Sequence, residues 1–191
     1  MRHSLQTTGM DFHLVRSTLL KEFDESEIKY AIIGGFALGL WEVTRATIDM
    51  DFLLLIDDLP KAEKILKKFS YKETYKSENV TQWVSNLAPY GQVDILIAFR
   101  KISRRMLDRR VRKSLGGDFN TYTLPPEDLI GLKLQALVND PSRVSQEKAD
   151  IASLLSARKK SGQAIDWGIL QEYFTLFDKV DQLEALKKTY G

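Results

Sequence analysis

Two aspartates, separated by one residue inside an otherwise apolar run, constrain this chain more than any other feature. The run is Ile48-Asp49-Met50-Asp51-Phe52-Leu53-Leu54-Leu55, and its density of large apolar side chains predicts a buried strand over 48–56. Alternate residues of a strand point to opposite faces. Asp49 and Asp51 therefore share one face, while Ile48, Met50, Phe52 and Leu54 share the other. Two carboxylates at that spacing repel each other and lose hydration, and burying them uncompensated costs several kcal/mol. A divalent cation neutralises both at once.

The residue inventory narrows which cation. There are no cysteines and only two histidines, His3 and His13, which excludes thiolate sites, disulfides and a His-rich zinc centre. Carboxylates and water suit Mg2+ or Mn2+. A net charge of +2 over 191 residues excludes a polycation built as a whole for nucleic acid. No apolar run approaches the roughly 18–20 residues of a membrane span, so no membrane association is expected. The polar start, residues 1–10, lacks the apolar core of a signal peptide. A cytoplasmic location is expected.

Two further segments join the aspartates. In Gln92-Val93-Asp94-Ile95-Leu96-Ile97 a lone carboxylate, Asp94, sits in a second apolar strand. If the two strands are neighbours, three carboxylates converge, enough to hold two metals with substrate phosphates completing their coordination. Upstream, Tyr30 to Ile33 reads as a short buried strand ending in Gly34-Gly35 before a short helix over 36–41. Glycines at such a turn let backbone N–H groups approach an anion at a helix N-terminus.

The remaining pattern gives the architecture. Phe12, Val15, Leu19 and Phe23 recur at helical spacing. Asp57-Asp58 with Pro60 predicts an acidic cap and the start of a helix to about Phe69. Strands are expected over 71–75, 81–85, 92–99 and 119–124, with a basic helix over 101–113. From Pro125 onward the pattern is helical, over 126–139, 144–159 and two shorter segments. The expectation is an α+β fold: a small mixed β-sheet flanked by helices over 1–124, then a helical C-terminal part over 125–191.

Taken together, Ile33-Gly34-Gly35-Phe36-Ala37-Leu38, Arg45-Ala46-Thr47-Ile48-Asp49-Met50-Asp51-Phe52 and Val93-Asp94-Ile95 resemble the nucleotidyltransferase superfamily with the polymerase-β palm. The Arg45-x-Thr47-x-Asp49-x-Asp51 run is most similar to the AbiEii-type toxin branch. The resemblance covers about the first 100 residues. It implies that Asp49, Asp51 and Asp94 bind metal and act catalytically, with Asp94 as general base, and that Gly34 and Gly35 bind the phosphates of an NTP. In the helical half, Leu129-Ile130-Gly131-Leu132-Lys133 matches the branch's lysine helix, which implies that Lys133 reaches the triphosphate. Asp150-Ile151 matches the last acid of a later motif, but Glu147 stands where relatives carry an aspartate; Lys148 is a further phosphate candidate.

Arg45 and Thr47 are candidates for substrate contact, against a surface ion pair for Arg45 and a strand-start role for Thr47. Residues 100–113 carry Arg100, Lys101, Arg104, Arg105, Arg109, Arg110, Arg112 and Lys113. They read either as a solvated face or as a surface for RNA, such as a tRNA end. Trp41, Trp83 and Trp167 read as packing residues.

The function expected is NMP transfer from an NTP to an acceptor hydroxyl on RNA, a small molecule or a protein. The toxin branch adds an antitoxin partner. The alternative is a non-catalytic nucleotide- or partner-binding module on the same fold.

Overall fold

The computed structural model describes residues 10–117 and 119–191. The polar start, with His3, lies outside them except for Met10. The described residues divide into two compact units: one formed by those up to Phe36 with Ala46–Thr123, the other by Ala37–Arg45 with Leu124–Gly191.

The first unit is the sheet unit. Its entry helix has an α segment α1 (Phe12–Val15), a π turn over Arg16–Leu20 and a second α segment α2 (Lys21–Glu25). Asp11 starts it by accepting N–H bonds from His13 and Leu14. The strand β1 (Tyr30–Ile33) leads into the helix α3 (Gly34–Leu40), followed by β2 (Asp49–Leu55), α4 (Leu59–Lys68), β3 (Tyr71–Lys76), β4 (Val80–Ser85), β5 (Gln92–Ala98), α5 (Lys101–Asp108), β6 (Val111–Ser114) and β7 (Asn120–Thr123). The seven strands form one mixed sheet in the order β3-β4-β5-β2-β1-β7-β6. This is the α+β architecture expected.

β2 is central. It pairs antiparallel with β1 and parallel with β5. On one face its Phe52 meets Phe23 and Tyr30 edge-on at 5.5 and 5.8 Å, so α2 covers that face with an aromatic cluster. Met50, Phe52 and Leu54 are buried there, as the alternation requires.

Three sequence expectations are corrected. The strand begins at Asp49, not Ile48, whose side chain is 80% exposed. Asp58 stands at the N-cap position of α4 but makes no side-chain cap bond: its Oδ2 accepts the Lys29 N–H at 2.9 Å, and it pairs with Lys61 at 3.4 Å. A long-range partner outcompetes the local one. The basic stretch is not one helix: α5 stops at Asp108, and Val111 onward becomes the edge strand β6 paired with β7. Val111 and the exposed, alternating side chains beyond it suit a strand edge, where charge also discourages further pairing.

The second unit comprises α6 (Pro126–Asn139), α7 (Val144–Lys160), α8 (Trp167–Leu176) and α9 (Val180–Tyr190), with the segment 37–45. Trp41 Nε1 donates to the Leu124 carbonyl at 2.9 Å, and the Arg158 guanidinium lies over the Trp41 ring. Arg158 also holds both oxygens of buried Glu127 at 3.2 Å. Gly131 lets α8 approach α6, since a Cβ there would lie 2.9 Å from the Tyr173 ring.

No helix among the described residues is long and apolar enough to cross a membrane.

Candidate active site

The register of the central strands brings the three sequence-identified carboxylates together. Asp51 of β2 lies opposite Asp94 of β5, and Asp49 lies opposite Gln92. One oxygen from each of Asp49, Asp51 and Asp94 can be chosen so that all three lie within 4.8 Å of one another, and each residue is half-buried. This donor set, three oxygens and no nitrogen or sulfur, suits a hard divalent cation.

The turn after β1 completes this corner of the sheet. Ile33 pairs with Asp51, so Gly34 follows directly beside the carboxylate. Gly34 has φ +64°, and a Cβ there would sit 1.8 Å from Asp51 Oδ2. Two independent facts thus demand glycine: left-handed backbone and the space the carboxylate occupies. The sequence reading assigned Gly34 to phosphate and missed this contact, which no sequence pattern reports. Gly35 is the second residue of α3, where backbone N–H groups lack helical acceptors.

Asp49 and Asp94 are held by neutral donors. Thr47 Oγ1 lies 2.8 Å from Asp49 Oδ1 and 3.2 Å from the Asp49 carbonyl. Gln92 Nε2 donates to Asp94 Oδ1 and Gln82 Nε2 to Asp94 Oδ2, each at 2.9 Å. Thr47 therefore touches the acid pair directly. The two glutamines were not singled out in the sequence; Gln92, two residues before Asp94 and so on its face, carried the one available signal.

The other candidates lie in the helical unit, where they form a network. Lys133 Nζ is 2.9 Å from Glu147 Oε2 and 2.6 Å from Asp150 Oδ2. Arg143 pairs with Glu147 at 2.5 Å and Arg45 with Asp150 at 3.9 Å. Glu147 is 1% exposed at its side chain. Arg45, Lys133 and Asp150 thus belong to one charge cluster, buried at Lys133, Glu147 and Asp150 and exposed at Arg45, and Glu147 pairs with two cations. Lys148 is exposed.

The basic stretch divides: α5 is placed at the end of the sheet remote from Asp94, whereas β6 runs back, with Val111 opposite Thr123 and Thr123 beside Ile32, one residue from the Ile33–Asp51 pair. From Asp94 to Ala98 the strand travels about 13 Å before α5 begins. The end of α5 is fixed by Asp108 to Lys29 at 2.5 Å. Lys29 precedes Tyr30, which pairs with Leu54 at the end of β2 remote from Asp51. Arg104 pairs with Asp57 at 3.3 Å, and the Arg110 guanidinium lies 4.2 Å from the Tyr122 ring centroid. Of the tryptophans, Trp83 is fully buried.

Comparison with known proteins gives a consistent fold. No family model matches the sequence, and no curated protein matches it. Among solved structures, it is similar to ANT(2")-Ia in complex with adenylyl-2"-tobramycin, with 13% identity, TM-score 0.65, and coverage of 92% of this chain and 98% of that one. A nucleotidyltransferase-like protein from Paracoccidioides brasiliensis gives 17% identity and TM-score 0.57, over 93% and 94%. The lincosamide antibiotic adenylyltransferase LnuA, lincomycin-bound, gives 15% identity and TM-score 0.53, over 78% and 99%. With the three carboxylates on β2 and β5 and the Gly34 turn beside them, the chain has the nucleotidyltransferase fold.

Proposed function

We propose that the protein transfers a nucleoside monophosphate from an NTP to an acceptor hydroxyl, releasing pyrophosphate. The observation that carries this is the convergence of Asp49, Asp51 and Asp94 within 4.8 Å, beside a turn whose Gly34 is moulded to Asp51. Asp49, Asp51 and Asp94 are the residues that would hold Mg2+ or Mn2+. A bound divalent ion would supply Lewis-acid stabilisation of the transferring phosphoryl group and its leaving pyrophosphate. Gly34 and Gly35 offer backbone N–H groups to the phosphates. Asp94 is placed at the flank of the acid group away from β1, where it would orient the acceptor hydroxyl and accept its proton. Thr47 holds Asp49 in place. Arg45, Lys133 and Asp150 are assigned to nucleotide binding on the sequence resemblance, and Lys133→Ala tests that part through the KM for NTP.

A small-molecule acceptor is the reading favoured here. The chain is similar along 98% of the ANT(2")-Ia structure, which holds an adenylylated tobramycin. The basic helix α5, by contrast, stands at the far end of the sheet. An RNA acceptor, as a toxin with a cognate antitoxin would use, is the second reading, supported by the cationic residues 100–113.

Calorimetric titration of MgATP and the other Mg-NTPs tests the core proposal. Binding is expected for the wild type and lost in Asp49→Ala/Asp51→Ala; equal binding by both proteins would sink it. Labelled NTPs, incubated separately with tRNA and with a set of aminoglycosides and lincosamides, then decide the acceptor. Label entering tRNA alone would reject the small-molecule reading.

A further inference from the structure

Asp94 is gripped from two directions by uncharged donors. Gln92 lies on the same strand face, two residues back, in register with Asp49. Gln82 comes from β4, directly opposite Asp94 on the side away from β2. Each amide takes a different oxygen at 2.9 Å. A carboxylate can only accept, so the NH2 end of each glutamine must be the end that faces it.

The arithmetic of lone pairs gives this arrangement a consequence. An ionised carboxylate offers about four acceptor positions. The two amides use one on each oxygen and leave one on each. The side chain's terminal torsion, broad in a free aspartate, is fixed by two bonds that pull from different strands. Lysine or arginine in the same places would fix it too, but would cancel the negative charge that a cation needs. Amides fix the plane and leave the charge.

We infer that Gln82 and Gln92 are positioning residues that preorganise Asp94 as a ligand for a divalent cation, acting through Asp94 alone. The inference rests on the metal-site reading of the three aspartates. Hydrogen-bonding partners behind a metal ligand are worth about 10- to 100-fold in metal affinity elsewhere.

Gln82→Met and Gln92→Met keep an unbranched side chain of similar length and remove the donor. Mn2+ alone, titrated into the metal-free full chain and followed by the electron paramagnetic resonance of the free ion, is the direct measurement. Each single variant should weaken Mn2+ binding severalfold and the double variant about tenfold or more. Thermal melting in EDTA should be unchanged, and a fall in kcat should exceed any change in KM for ATP. A double-Met variant that binds Mn2+ within about twofold of wild type overturns the inference. Should the double variant fail to fold, the cycle with Asp94→Asn decides instead. Gln82→Met is expected to add no further loss in that background, and a fully additive loss overturns the inference. Should the wild type bind Mn2+ no better than Asp49→Ala/Asp51→Ala, the metal reading falls and this inference with it. Loss in the aspartate variant but not in the Met variant removes the glutamine role alone.

Discussion

The molecule contains two clusters of acidic side chains that solve the same electrostatic problem in opposite ways. In the helical unit, Glu147 and Asp150 are buried with Lys133, and Arg143 and Arg45 supply two more cations. In the sheet unit, Asp49 and Asp94 are met by a hydroxyl and two amides. The first cluster carries its own counter-charge. In the second, half-exposed, Asp49 and Asp94 are held by neutral groups that leave their charge in place. Buried charges with partners are stabilised within the protein, whereas Asp49 and Asp94, held by neutral donors, retain the charge on which the proposed cation site rests.

The largest effect should come from breaking the self-sufficient cluster. Glu147→Ala leaves a hole where a buried carboxylate stood, with Lys133 reduced to its Asp150 partner and Arg143 to solvent. The expected cost is about 3–5 kcal/mol, read as a lower midpoint in urea denaturation. Next, Gly34→Ala forces a Cβ into Asp51 at a left-handed backbone position. It should cost about 3 kcal/mol and abolish Mg2+-dependent NTP binding. If Gly34→Ala were neutral in both assays, the close turn beside Asp51 would be wrong.

These two sites also show what a sequence reveals. Asp49, Asp51 and Asp94 were legible because strand alternation is a period-two rule, and a carboxylate inside an apolar run violates composition locally. Their convergence was conditional on β2 and β5 being neighbours, which is a fact of sheet order and not of either segment. The role of Glu147 was blurred because its buried partner Lys133 comes from another element; only Arg143, four residues before it, stands at helical spacing. Ion pairing across elements leaves no periodic trace. The break between α5 and β6 was missed for a related reason: eight cations in residues 100–113 satisfy a helix face and a strand edge equally well. Gln82 was invisible until the pairing of β4 with β5 set it against Asp94.

Adding metal should sharpen the contrast. Mg2+ at 100 times its Kd would stabilise the wild type by about 2.7 kcal/mol, seen as a rise in melting temperature over the same protein in EDTA. Glu147→Gln should retain that rise, since Glu147 is paired with Lys133 and Arg143. Asp49→Ala/Asp51→Ala should lose it. An Mg2+-induced rise of equal size in the aspartate double variant would move the ion elsewhere and break the comparison.

The smallest effect is the most discriminating, because its sign reverses between the clusters. Asp49→Asn keeps an oxygen to accept from Thr47 and removes one of three mutually repelling charges. With oxygens within 4.8 Å of one another, that repulsion is worth about 1 kcal/mol per pair even at water-like screening. In EDTA, Asp49→Asn, which relieves two such pairs, should therefore be more stable than wild type by about 2 kcal/mol. The neutral isostere Glu147→Gln, made in the paired cluster, should instead be less stable, because it strips a counter-charge from Lys133 and Arg143. Saturating Mg2+ should then overtake the gain of Asp49→Asn, since only the wild type offers the ion all three carboxylates. A destabilised Asp49→Asn in EDTA would mean that a cation of the protein already serves Asp49. In that case the two clusters would be of one kind.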